Sequence, residues 1–206
     1  AYSGLMGFFM NHCHKQLEHF NFPNNLNKVL EIGAGSAPHY KFIKHNYEEY
    51  CIAETSKTSF KGYQNNPKVK FTIYDGKTLP YENEYFDRII ISHCLEHITN
   101  PEEFLHEMMK KLKKGGILSI SLPTDPGLLF RIGRFYLKLF SLKKNYKISS
   151  KKFDYMNATE HVNSIFGLSA ILNYNYGSSI TEYYLPFRIK SFDLNLFYNV
   201  HIKKTI

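Results

Sequence analysis

The chain has 206 residues, of which 43% are hydrophobic, 16% aromatic and 21% charged. That balance is long and apolar enough to bury one core, and it excludes disordered, collagen-like and coiled-coil classes. No window approaches the roughly 20 uninterrupted apolar residues of a membrane-crossing helix, and the opening stretch lacks a basic n-region, so a soluble cytoplasmic protein is expected. The formal charge of +8 is local: between Pro126 and Phe153 stand Arg131, Arg134, Lys138, Lys143, Lys144, Lys147, Lys151 and Lys152 without an acid, and the remainder balances at 18 against 18, which describes one anion-facing surface and gives no reason to expect DNA as a partner.

Leu5 to Phe20 places Leu5, Phe8, Phe9, His12, Cys13, Leu17 and Phe20 at helical spacing, predicting an amphipathic helix within residues 1–26 that packs on the domain or lids it. NKVLEIGAG reads as a short buried strand entering a glycine turn, and Ala37 to Lys44, with Pro38 near the first helical position, as the helix after it. Tyr50–Ser56, Val69–Asp75 and Tyr85–His93 read as three further strands, the last a continuous apolar run buried on both faces. PEEFLHEMMKKLKKGG carries Pro101 and acids at a helix start and lysines at its end, with Gly115 and Gly116 as the stop, and Ile117–Pro123 is a fifth strand. Strands alternating with helices predict an α/β fold with a doubly wound, mostly parallel sheet. Residues 124–160 interrupt that alternation and read as a substrate-side insertion, followed by a helix over Thr159–Leu172. SSITEYYLPF and DLNLFYNVHIKK then predict an antiparallel C-terminal hairpin, bringing the sheet to seven strands in a single domain over 1–206.

The chemistry concentrates in VLEIGAGSAP. Gly33 and Gly35 directly after a strand let the backbone turn sharply and approach a ligand, so that a side chain at Gly33 would intrude on that ligand. A nicotinamide-binding G-x-G-x-x-G would need its third glycine where Pro38 stands. The pattern Glu31, Gly33, Gly35, with Ala37 at the usual third glycine, instead resembles the class I S-adenosylmethionine-dependent methyltransferases, and DGKTLPYENEYFDRIIISHCLEHITNPEEFLHEMMKKLKKGGIL resembles their ubiquinone-pathway-like branch. The resemblance covers about Asn27 to Pro123. It implies a Rossmann-like methyltransferase fold, S-adenosyl-L-methionine as cofactor, and a cofactor site made of Glu31, Gly33, Ala34, Gly35, Glu54, Thr55, Asp75, Gly76, Ser92 and His93. Within that set it implies Glu54 for the ribose hydroxyls and Asp75 for the adenine amino group.

Three cysteines far apart, with no C-x-x-C pair, encode neither a disulfide framework nor a cysteine zinc site. His93, Glu96 and His97 form an H-x-x-E-H string, but on a strand end followed by Thr99, Asn100 and Pro101 rather than on the helix that would align the two rings, so no metal is expected there and Glu96 and His97 are read as loop-holding residues. The candidate catalytic bases are His161, then His93. Arg131 and Arg134, spaced with Lys138 on one helical stripe opposite Leu128, Ile132, Phe135 and Leu139, are the candidate substrate-binding residues. These readings give a methyltransferase for a small polar, anionic acceptor, by O-methylation of a sugar or phosphorylated metabolite of the bacterial surface-polysaccharide kind. Its alternatives are an RNA or lipid methyltransferase using the basic helix on nucleic acid or an anionic membrane surface, and a non-catalytic cofactor-binding scaffold.

Overall fold

The computed structural model describes residues 4–23, 26–35, 39–56, 66–143 and 149–205. Short runs rich in Val, Ile and Leu form β1 (Lys28–Ile32), β2 (Glu49–Glu54), β3 (Val69–Ile73) and β4 (Phe86–Ser92), and β5 (Leu112–Pro123) follows. β6 (Ile180–Leu185) and β7 (Phe197–Lys203) complete a seven-stranded sheet of order β3-β2-β1-β4-β5-β7-β6. β1 to β5 pair in parallel, whereas β7 runs antiparallel to β5 and to β6, giving the expected C-terminal hairpin. Strand order reverses between β1 and β4, the position at which open α/β sheets leave a crevice beyond the strand ends.

The two faces of the sheet differ in chemistry. Leu30, Ile32, Cys51, Ala53, Ile89, Ile91, Leu118, Ile120, Val200 and Ile202 share one cluster with Phe104, Leu105 and Met108 of α2 (Pro101–Lys111) and Ile165, Leu168 and Leu172 of α5 (Ile165–Tyr176). Each Leu, Ile, Val, Met or Phe side chain among them contributes about 1.5 to 3 kcal/mol by leaving water. Period-two alternation sends Arg88, Ser92, Ser119, Ser121, Asn199 and His201 to the other face, all buried. That face is covered by α1 (Gly4–Leu17), whose Leu17 shares an apolar cluster with Val29, Ile52 and Ile90 and which is further seated by hydrogen bonds: Cys13 Sγ lies 3.0 Å from Ser121 Oγ, and Asn199 donates to the Cys13 carbonyl at 3.1 Å.

Just past α1, the carboxylate of Glu18 is 2.7 Å from Arg88 Nη1 and 2.9 Å from His39 Nε2, with all three side chains inaccessible. Burial pushes the Glu18 carboxyl up, but the Arg88 charge and the His39 hydrogen bond outweigh it and bring it to about 2. Arg88 also donates to Ser119 Oγ and His45 Nε2, and its guanidinium lies 3.9 Å over the Phe22 ring. The C-terminal end of the helix is thus bonded to the sheet.

Three expectations change. Of the helix expected over Ala37–Lys44, the described part is a single 3-10 turn at Tyr40–Phe42, while Ala37 and Pro38 lie outside the described residues. The Lys-Lys-Gly-Gly segment does not separate helix from strand: β5 begins at Leu112, and an irregularity between the pairs Phe86↔Leu112 and Arg88↔Ile117 absorbs it. The helix expected over Thr159–Leu172 is two helices, α4 (Ser150–Glu160) and α5, the second begun by the Ser164 hydroxyl accepting from Gly167 N–H. Residues 161–164 form the link between them, and the insertion itself is α3 (Leu128–Lys143) followed by α4.

Candidate functional site

At the end of β1 the backbone turns through left-handed φ at Gly33 (62°) and Gly35 (54°), which costs glycine nothing and other residues about 1 to 2 kcal/mol. The two glycines serve different neighbours. A Cβ on Gly33 would collide with the Cys94 side chain, so its small size admits the protein itself rather than a ligand, correcting the expectation for that position. A Cβ on Gly35 would meet nothing within 4 Å, and this residue is exposed at the crevice. Gly35 N–H donates to Glu54 at the end of β2, joining two of the expected site residues, with Ala34 buried between the glycines. Glu31 is inaccessible: its Oε2 accepts from Tyr50 Oη at 2.6 Å, and its Oε1 has no hydrogen-bond partner among the described residues. Burial raises its carboxyl to about 7 against the opposing Tyr50 hydroxyl and His39 N–H. Asp75, exposed beyond β3, accepts from Lys77 and Thr78 N–H at 2.8 Å, which holds its carboxyl below the usual range and shapes the turn at Gly76. Thr55 is exposed next to Glu54, and its methyl lies under Gly76.

Where β4 ends, Ser92 Oγ lies 3.4 Å from His14 Nδ1 of α1, and His93 takes a left-handed φ of 52°. The His93 ring stands edge-on to His14 and Phe197, and its Nε2 is buried without a partner among the described residues. Burial, together with the neighbouring imidazoles His161, His97 and His39, lowers it to about 4, so it is neutral at pH 7 and a weak base. Cys94 is no nucleophile, because burial pushes its thiol up to about 12.

Beyond Cys94 three loops converge. The 3-10 turn Leu95–His97 carries Glu96 and His97, the end of β5 leads to Asp125, and the link after α4 carries His161. His161 Nδ1 is 2.7 Å from Asp125 Oδ2, and Arg134 Nη2 is 2.5 Å from the same oxygen. Burial pushes the Asp125 carboxyl up, but the His161 hydrogen bond and the Arg134 charge hold it below the usual range. The rings of His97 and His161 lie 5.0 Å apart, edge to face. Of the H-x-x-E-H string, only Glu96 and His97 join this cluster, with His161 as third member, while His93 faces α1.

Arg131 and Arg134 are not equivalent. Arg134 spends its charge on Asp125, Lys138 spends its own on Asp154 at 2.5 Å, and Arg131 is exposed. Much of the apolar stripe of α3 is also exposed, Phe135 at 61% and Leu128 at 49%. The inner side of α3, with Phe130, Gly133, Arg134 and Leu137, closes a cavity of about 170 Å³ with His161, Leu196 and Phe197. Sequence reasoning missed Asp125, whose role depends on α3 folding back over it, and Asn163, which donates from Nδ2 to the Ile98 carbonyl at 2.6 Å and holds the His161 link against the Glu96 loop.

Residues 30–120 match the family of the methyltransferase domain. The chain is 32% identical over 138 residues to a demethylmenaquinone methyltransferase of Clavibacter sepedonicus, covering 63% of this chain and 56% of that one. It is 34% identical over 111 residues to ajmaline N-methyltransferase of Rauvolfia serpentina, covering 48% and 38%. The chain spans about half the length of the curated relatives it matches. A phosphoethanolamine N-methyltransferase of Haemonchus contortus, solved with S-adenosyl-L-methionine, superposes with a TM-score of 0.66 at 12% identity, covering 95% of this chain and 53% of that one, a likeness of fold.

Proposed function

We propose that the chain is a class I, S-adenosylmethionine-dependent methyltransferase, as the match of residues 30–120 to the methyltransferase-domain family supports, and that it methylates a small hydroxyl-bearing acceptor held between α3 and Phe197. The residues at the glycine turn fit the cofactor. Gly35 leaves open the space that a Cβ would fill, and Glu31 Oε1 and Glu54 place carboxylate oxygens beside a turn that would receive a group bearing a sulfonium and an ammonium. Glu54 and Thr55 would hold the ribose side and Asp75 and Gly76 the adenine side, with Ser92 and His93 forming the floor at the end of β4.

When bound, S-adenosylmethionine supplies an electrophilic methyl group, whose C–S bond breaks as the acceptor's O–C bond forms, leaving S-adenosylhomocysteine and a proton from the acceptor hydroxyl. The chain's part is to orient the acceptor and take up that proton. Phe130, Leu137, Leu196 and Phe197 supply apolar walls suited to a flat ring, and His161, braced by Asp125, stands at the polar end within reach of Glu96 and His97. The observation that carries this reading is His161, braced by Asp125, lining that cavity. The anionic sugar expected from the basic segment is less well supported, since Arg134 already answers Asp125 and leaves Arg131 as the exposed cation of the pair.

Methylation at a ring carbon ortho to a hydroxyl is the second reading, favoured by the exposed apolar stripe of α3 beside the cavity, which suits an acceptor with an apolar tail. The test is calorimetric titration with S-adenosylhomocysteine, followed by turnover on phenols, hydroquinones and sugar phosphates. Binding that Glu54→Ala weakens by about 1 to 3 kcal/mol is expected. Wild-type affinity in that variant, or no binding at millimolar ligand, would overturn the cofactor assignment.

A further inference from the structure

We propose that Glu96, His97 and His161 form a binding site for one divalent first-row transition-metal cation. Each offers one ligand atom, all within 4.8 Å of one another, and His97 Nε2 is 3.9 Å from Glu96 Oε1. Atoms bound about 2.0 to 2.2 Å from one ion stand about 3 to 4 Å apart, so side-chain adjustments of about 1 Å close the set. Two imidazoles and a carboxylate are a borderline-soft donor set suited to zinc, manganese or iron rather than to calcium.

The His97 ring is already oriented for this task. Its Nδ1 faces the Glu160 carbonyl at 2.5 Å, and a carbonyl oxygen can only accept, so the ring gives its Nδ1–H outward and keeps the Nε2 lone pair for an ion, the arrangement in which outer oxygens fix the orientation of ligating histidines. His161 Nδ1 stands between Asp125 Oδ2 at 2.7 Å and Arg134 Nη2 at 3.2 Å, and the tautomer that gives Nδ1–H to the carboxylate frees its Nε2 in the same way. Arg134 sits on the Asp125 side of His161, so its charge does not answer Glu96.

Glu96 supplies an independent sign. It is 3% exposed, its Oε2 is buried without a hydrogen-bond partner among the described residues, and no lysine or arginine among them pairs with it. A buried carboxylate oxygen left unanswered costs free energy that a cation removes. The three ligands, far apart in sequence, are also stapled together: Asn163 N–H donates to the Glu96 carbonyl at 3.1 Å, Asn163 Nδ2 to the Ile98 carbonyl at 2.6 Å, and Ile165 N–H to the Asp125 carbonyl at 2.8 Å. The site therefore takes two residues of the H-x-x-E-H string, omits His93, and recruits its third ligand from the link between α4 and α5.

Three protein ligands leave coordination positions open, and one of the three, His161, also lines the cavity under α3. With the ion bound, His161 serves as a ligand instead of as the proton acceptor, and the ion would bind the acceptor hydroxyl and ease the loss of its proton to water, a role that rests on the methyltransferase reading, whereas cation binding itself does not. The test is calorimetric titration of tag-free protein with zinc chloride and with manganese chloride, the latter also followed by electron paramagnetic resonance. One saturable site is expected, weakened at least tenfold in Glu96→Gln and in His97→Ala, with S-adenosylhomocysteine affinity unchanged in both. His97 is a partly exposed ring, so its removal leaves the core intact and keeps the test decisive if Glu96→Gln fails to fold. No saturable binding of either ion at millimolar concentration overturns the site, and so does binding that the variants leave unaltered. Cation binding without any S-adenosylhomocysteine binding in the wild type would overturn the methyltransferase reading and leave the cation site standing.

Discussion

Alanine at Gly33 and alanine at Gly35 should fail in different ways. Both positions have left-handed φ, 62° and 54°, so each alanine carries about 1 to 2 kcal/mol of backbone strain. At Gly33 the added methyl also meets Cys94, with its Cβ at 2.8 Å and its Sγ closer, and overpacking of that kind costs a further 1 to 3 kcal/mol, roughly, because the side chain and its loop must shift. Gly33→Ala is therefore expected to lose about 2 to 5 kcal/mol in urea unfolding, against about 1 to 2 for Gly35→Ala. Adding Cys94→Gly should return most of the difference at Gly33 and nothing at Gly35, a coupling read by a double-mutant cycle. In calorimetric titration with S-adenosylhomocysteine the order reverses: Gly35→Ala loses affinity while staying folded, since its methyl enters the open crevice. Equal stability losses at the two glycines, or no relief from Cys94→Gly, would refute the claim that Gly33 is small for the protein's sake.

The Glu18 carboxyl, held at about 2 in the fold against 4.5 for the free group, contributes about 3 kcal/mol that is fully present above pH 4.5 and is lost as pH falls from there toward 2. The stability gap between wild type and Glu18→Gln should therefore shrink over that window, and a gap independent of pH would exclude the ion pair as its cause. Arg134→Ala should cost about 1 to 3 kcal/mol by leaving Asp125 without its charged partner, whereas Arg131→Ala, on an exposed side chain, should leave the thermal midpoint unmoved. Asn163→Ala should lower turnover more than it lowers stability, because the lost bonds to the Glu96 loop loosen the placement of His161, and an unchanged kcat would contradict that placement.

What was legible in the sequence had local causes. Pro101, the acids after it and the lysines of its last turn mark α2 in eleven residues, and the apolar run of β4 declares burial on both faces. Gly115 and Gly116 misled because glycine marks an irregular strand as readily as a helix stop, and only the pairing of β5 with β4 shows which applies. The break at His161 was hidden because residues 161–164, His-Val-Asn-Ser, hold neither proline nor glycine to mark it. Glu31, Gly33, Gly35 and Glu54 were found through a motif that is compact in sequence. The meeting of Glu96, His97, Asp125 and His161 could not be found that way: it is made by α5 docking on the sheet and by Asn163 reaching the β4 loop, both long-range events.

The two coats of the sheet imply two regimes of sequence drift. Against α2 and α5 the contacts are among Leu, Ile, Met and Phe, which have no direction and accept one another when total volume is kept, so positions there are free to change singly. Beneath α1, beside a smaller apolar set of Leu17, Val29, Ile52 and Ile90, the polar side chains have named correspondents: Glu18 with Arg88 and His39, Cys13 with Ser121, Asn199 with the Cys13 carbonyl, and Ser119 with Arg88 and His201. Changing one member strands the other in a site without water, so substitutions on this side are expected to arise in concert or not at all. A helix taken from a relative would accordingly seat on this sheet only if it arrived with the strand residues that it was bonded to.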